Sequence, residues 1–149
     1  MPTDIHDFKN AASTASLIYM TTNKTNKILL IQRDHEPFVG MWALPGGFLN
    51  CDQESLEVAG AREFYEETNL VVEPRHLELF MVNSDPKRDP RGHVIDHVYY
   101  VHRCTGEPKA KDDARKLEFF DINNLPDLAF DHGKVLEKFI GSTLYLEVI

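Results

Sequence analysis

Cysteine is scarce, positive charge is in deficit and long apolar runs are absent, and each shortage removes a class of protein. Cys51 and Cys104 are the two cysteines among 149 residues, too few and too far apart for a disulfide scaffold, so they read as reduced thiols of a cytoplasmic chain. Sixteen Lys and Arg stand against 24 Asp and Glu, a net charge of −8. That balance disfavours nonspecific attraction to nucleic acid or to an anionic membrane, and neither is expected as a partner. A phosphate-bearing ligand must then be met by local cations or a metal. The longest apolar stretches, residues 16–20 and 28–31, fall far short of the ~20 residues that span a bilayer. Residues 1–10 carry Asp4, His6 and Asp7 before Lys9 and lack the basic and then apolar order of a secretory signal. Repeats, low-complexity blocks and Ser/Gly linkers are also missing, so one domain over residues 1–149 is expected.

What is present is globular in composition, 42% hydrophobic and 27% charged. Residues 14–21 and 27–33 are rich in β-branched and aliphatic side chains and flank the polar cluster 22–26, a pattern that predicts a hairpin. A loop follows, then a short strand Trp42-Ala43-Leu44 ended by Pro45-Gly46-Gly47. Residues 52–68 read as a helix with Asp52 as N-cap, Glu54 and Glu57 at the positive end of its dipole, and Asn69 as a left-handed stop. Residues 77–82, 93–101 and 117–120 read as strands, and Asp131 as the cap of a last helix that Gly141 ends. The order predicts an α+β fold, a mixed sheet between helices.

The first helix carries the chemistry. At ~100° per residue, Glu63, Glu66 and Glu67 share an arc, and Val58, Ala61, Phe64 and Tyr65 take much of the opposite side. A solvated acidic face is the ordinary reading of such a pattern. Here, however, the carboxylates crowd the negative end of the helix dipole and repel one another, which costs stability unless a cation compensates. The small residues Ala59 and Gly60 leave room for the Pro45-Gly46-Gly47 loop. A carbonyl from that loop and several carboxylates make an all-oxygen site suited to Mg²⁺ or Mn²⁺, with Arg62 orienting a carboxylate.

The run from Gly47 to Glu54, followed by Arg62-Glu63-Phe64-Tyr65-Glu66-Glu67-Thr68-Asn69-Leu70, resembles the Nudix box of Nudix hydrolases, and Trp42-Ala43-Leu44-Pro45-Gly46 before it is similar too. Two positions depart from the pattern. Six residues rather than five separate Gly47 from Glu54, so either the loop is one residue longer or Gln53 takes the glutamate position. Asn69 stands where glycine is usual, a mild change because asparagine tolerates the left-handed conformation. The resemblance implies an α/β/α sandwich with a mixed sheet, and metal-dependent hydrolysis of a nucleoside diphosphate linked to another moiety. Carried over by position, it implies Glu63 and Glu67 as primary metal ligands, Glu66 as a further ligand or water-orienting group, Gly46 as a carbonyl ligand and Arg62 as the orienting cation. A carboxylate must accept the proton of the attacking water. Glu66, Glu67 and the 106–115 loop, with Glu107, Asp112 and Asp113, all offer one.

Asp89-Pro90-Arg91-Gly92-His93 and Leu128-Ala129-Phe130-Asp131-His132 resemble the ADP-ribose pyrophosphatase branch. This implies ADP-ribose as substrate, AMP and ribose 5-phosphate as products, and a homodimer. The other readings are a hydrolase of nucleoside triphosphates or dinucleoside polyphosphates, and a noncatalytic nucleotide sensor. The sensors of this branch carry a winged-helix domain for which 149 residues leave no room. Arg33, Arg88 and Arg91 are candidate phosphate or ribose contacts, and Gly47 and Asp112 complete the expected substrate-binding set. Phe8, Phe48 and Tyr99 are candidates to stack a base. His93, His97 and Tyr99 alternate on one strand face, where packing is a better reading than a metal site.

Overall fold

A computed structural model describes residues 4–111 and 114–149. Its strands are β1 (Ala12–Ile18), β2 (Met20–Thr21), β3 (Lys27–Arg33), β4 (Trp42–Ala43), β5 (Gly46–Phe48), β6 (Leu77–Asn83), β7 (Val94–Val101) and β8 (Ala114–Asp121). The helices are α1 (Leu56–Thr68), α2 (His132–Ile140) and α3 (Thr143–Val148). One sheet has the order β5-β1-β7-β6, with β1 and β7 parallel and its other pairs antiparallel. In the other, β3 pairs antiparallel with β2, β4 and β8. The expected mixed sheet is therefore present, beside a second, antiparallel one.

Alternation along β1 and β7 decides which helix each face meets. Ala15, Leu17, Tyr99 and Val101 pack with Phe64 of α1, while Ile18, Val98 and Tyr100 pack with Val135, Leu136 and Phe139 of α2. These side chains are all essentially buried, each aliphatic or aromatic one stabilising the fold by about 1.5–3 kcal/mol. Gly60 lets α1 approach this sheet, since a Cβ there would lie 3.0 Å from Leu17 Cδ1. The small residues of α1 thus admit β1 rather than the Pro45-Gly46-Gly47 segment.

Three further local expectations change. The hairpin is confined to β2 and β3; β1 leaves at Tyr19 to pair with β5 and β7, because its side chains have a helix to bury against on each face. Gly46 and Gly47 form a strand instead of a loop. Helix α1 starts at Leu56, where Ser55 Oγ accepts the Val58 N–H at 3.3 Å, so Ser55 and not Asp52 is the N-cap. Asp52 sits before it in a turn at φ 65°, and Asn69 closes the helix at φ 67° as expected. Among the described residues no helix is long and apolar enough to cross a membrane.

Candidate active site

The site forms where β5 lies along β1, with Ser16 opposite Gly46 and Ala15 opposite Gly47. A Cβ on Gly46 would collide with the Ala15 carbonyl oxygen and come within 2.8 Å of Ser16 Cα, so the position admits only glycine. A Cβ on Gly47 would lie 2.7 Å from both carboxylate oxygens of Glu63. The two glycines thus let the carboxylates of α1 rest against the strand. Gly46 N–H donates to Glu67 Oε1 at 2.7 Å, and Glu67 is buried. Glu63 and Glu67 line a cavity of about 200 Å³ together with Gly46 and Gly47.

Arg62 organises the rim. Its Nε and Nη2 donate to Glu54 Oε1 and Oε2 at 2.9 and 2.8 Å, its Nη1 reaches Glu63 Oε1 at 3.0 Å and Glu66 Oε1 at 3.3 Å, and Nη2 also reaches the Phe48 carbonyl at 3.1 Å. The guanidinium beside Glu54, with the Asn50 N–H, holds that carboxyl down to about 2 against burial that pushes it up. The ambiguity over Gln53 is resolved: Glu54 takes the arginine, Gln53 is exposed, and the loop is one residue longer. Glu66 stays at the rim with its side chain 40% exposed, outside the cavity lining.

Arg33 and Arg91, the candidate substrate contacts, line the same cavity as the carboxylates. Arg91 pairs with Asp89 at 2.8 Å and stacks on Phe48 and Phe130, 4.7 and 5.2 Å from their ring centres. Burial pushes the Asp89 carboxyl up, but the Arg91 bonds outweigh it and hold it below the usual range. Arg33 also stacks on Phe130, 5.0 Å from its ring centre, and donates through Nε to the Pro37 carbonyl. Arg88 is different from the expected phosphate contact: it is buried and forks onto Asp131 at 2.7 and 2.8 Å. Asp131 accordingly occupies the N-cap position of α2 without capping it by its side chain. Of the aromatic candidates, Phe48 lines the cavity, Phe8 is exposed, and Tyr99 is buried with its hydroxyl donating to Glu57 at 3.1 Å. Asp112 and Asp113 lie outside the described residues.

Asp96, which the sequence reading did not single out, and His132, which it named only within the 128–132 motif, are both buried and line the cavity floor. Asp96 Oδ1 accepts from the hydroxyls of Thr14 and Ser16, both at 2.9 Å. His132 Nδ1 accepts the Leu44 N–H at 3.0 Å, and burial pushes its pKa down, which keeps the imidazole neutral with its proton on Nε2. Ligand atoms of Asp96, Asp131 and His132 lie within 4.8 Å of one another, but the Arg88 guanidinium already supplies the positive charge there. One signal pointed to this floor: a carboxylate at position 96 amid the apolar run of β7.

The NUDIX domain family matches residues 12–139. A curated relative, the ADP-ribose pyrophosphatase of Methanocaldococcus jannaschii, is 53% identical over 117 residues, 78% of this chain and 68% of that protein. The crystal structure of a MutT/nudix family protein from Enterococcus faecalis superposes with TM-score 0.83 at 30% identity, over 93% of this chain and 64% of that one. The NUDIX domain of Shewanella oneidensis NrtR, complexed with ADP ribose, gives TM-score 0.79 at 28% identity over 93% and 92%. The chain spans about two thirds of the length of the first two. With the glycine strand, the arginine-bound glutamates and the family match over one continuous stretch, the chain belongs to the NUDIX domain family.

Proposed function

We propose that this chain hydrolyses ADP-ribose to AMP and ribose 5-phosphate with the help of Mg²⁺ or Mn²⁺. The observation that carries the reading is the gathering of Glu63 and Glu67 with Arg33 and Arg91 in the lining of one cavity, on a chain 53% identical over 117 residues to an ADP-ribose pyrophosphatase. The donor set fits a hard divalent cation: buried or half-buried carboxylates held against a glycine strand. Glu63, Glu67 and the Gly46 carbonyl would hold it, with Glu66 at the outer edge as a further ligand or water-orienting group. The cation supplies neutralisation of diphosphate charge and a polarised water.

The rest follows from the chain's own residues. Arg62 keeps Glu63 in place, so that its carboxylate does not turn away with each encounter. Arg33 and Arg91, both stacked on the Phe130 ring, would offer the N–H edges of their guanidinium groups to phosphate oxygens. Glu66, Glu67 or a carboxylate of the 106–115 loop accepts the water's proton as the hydroxyl adds to phosphorus and the bridging oxygen leaves with the other phosphate. The reading includes a cytoplasmic homodimer; exposed Leu79 and Val82 on the edge strand β6 support the dimer. Sedimentation velocity tests the dimer.

The first experiment is product analysis after incubation with ADP-ribose and Mg²⁺, beside deoxynucleoside triphosphates and diadenosine polyphosphates. Metal-dependent AMP and ribose 5-phosphate are expected. Cleavage of another panel member would replace the substrate, and tight ADP-ribose binding without cleavage would make the chain a sensor.

A further inference from the structure

The floor of the cavity holds a buried acceptor for which the proposed hydrolysis has no use. Asp96 is 1% exposed and lines the cavity. Its Oδ1 takes two hydroxyl bonds, whereas its Oδ2 has no hydrogen-bond partner. The nearest cation, Arg88 Nη2, is 3.7 Å away, beyond hydrogen-bond reach, and Arg88 donates to Asp131 and the Val94 carbonyl. A buried carboxylate oxygen left without a donor is costly. Beside it, in the same lining, His132 has Nδ1 committed as acceptor, so Nε2 carries the proton and donates.

We propose that this floor is a sugar-diol subsite, in which Asp96 Oδ2 accepts from, and His132 Nε2 donates to, one pair of vicinal hydroxyls on the substrate. The walls favour a sugar over a base. Around Asp96 stand the hydroxyls of Thr14 and Ser16, the imidazole and the guanidinium, which suit a hydroxylated ring. A base needs flat apolar faces, and the aromatic side chains of the cavity, Phe48 and Phe130, stack on arginines instead. A site built to hydrogen-bond a hydroxyl rejects the analogue lacking it. The subsite rests on the ADP-ribose reading, and the diol belongs either to the adenosine ribose or to the distal ribose.

Two analogues separate these sources: ADP-ribose lacking the 2-hydroxyl of the adenosine ribose, and ADP-ribose lacking the 2-hydroxyl of the distal ribose. Binding is measured by calorimetry with Ca²⁺ in place of Mg²⁺, on the wild-type protein and on Asp96→Asn, whose amide nitrogen would offer a donor where the carboxylate accepts. One analogue should bind the wild type about ten- to hundredfold more weakly than ADP-ribose. Asp96→Asn should lose that factor on ADP-ribose and little on the same analogue. Both analogues binding the wild type as tightly as ADP-ribose would overturn the subsite, as would an equal loss on all three ligands in Asp96→Asn. The wild-type comparison stands even if the variant fails to fold. Absence of ADP-ribose binding by the wild type would instead overturn the substrate reading, and the subsite with it.

Discussion

Arg62 grips Glu54 with two parallel bonds, Nε to Oε1 at 2.9 Å and Nη2 to Oε2 at 2.8 Å, across eight residues of sequence. The same guanidinium reaches Glu63 and Glu66, so one side chain ties the loop before α1 to the acidic face of that helix. A planar fork does this at little cost in further ordering, which a flexible ammonium cannot match.

Arg62→Lys should therefore retain the fold yet lower kcat/KM on ADP-ribose by about tenfold. Steady-state kinetics with circular dichroism as the fold control checks this, and unchanged kinetics would mean that Glu63 is positioned without Arg62.

The Glu54 carboxyl, held at about 2 against an ordinary 4.5, makes acid stability informative. Because the folded value is the lower one, the stabilisation is fully present above pH 4.5 and disappears as pH falls from there toward 2. Urea unfolding of wild type and Glu54→Gln should show a constant difference from pH 8 to about 5 that shrinks below. A difference that varies between pH 6 and 8 would point to another group.

Glu67→Gln should reduce metal-dependent turnover by about two orders of magnitude, with the melting temperature little changed. Oε1 still accepts from Gly46 in the variant, since the amide oxygen can take that place. Full activity would remove Glu67 from the metal site.

The adjacent glycines should separate fold from site. In Gly46→Ala the new methyl meets the backbone of Ala15 and Ser16, and a loss of about 1–3 kcal/mol in stability is expected. In Gly47→Ala it meets the Glu63 carboxylate, the movable end of a side chain, so the fold should persist while the Mg²⁺ concentration for half-maximal activity rises. Denaturation midpoints and metal titrations of both variants decide the matter.

Asp131→Ala should destabilise the protein by about 3–5 kcal/mol, because it leaves Arg88 buried without its forked partner. Thermal unfolding measures this, and a change under 1 kcal/mol would mean that water or Asp96 takes over the guanidinium.

Local chemistry was legible in the sequence wherever it depended on neighbours along the chain. The spacing of Glu63, Glu66 and Glu67 on one helix face, the left-handed stop at Asn69 and the class of fold all follow from helical period and turn chemistry. The helix start was misplaced by three residues, since Asp52 and Ser55 are both capping types and only the arginine pairing of Glu54 with its loop favours the second. Register across strands lay beyond the sequence. It sets Thr14 opposite Asp96, brings His132 to Leu44 and turns Arg88 from the expected phosphate contact into a buried partner of Asp131. These pairings join residues 43 to 88 positions apart, and the burial that selects them arises only when two sheets and two helices close on one another.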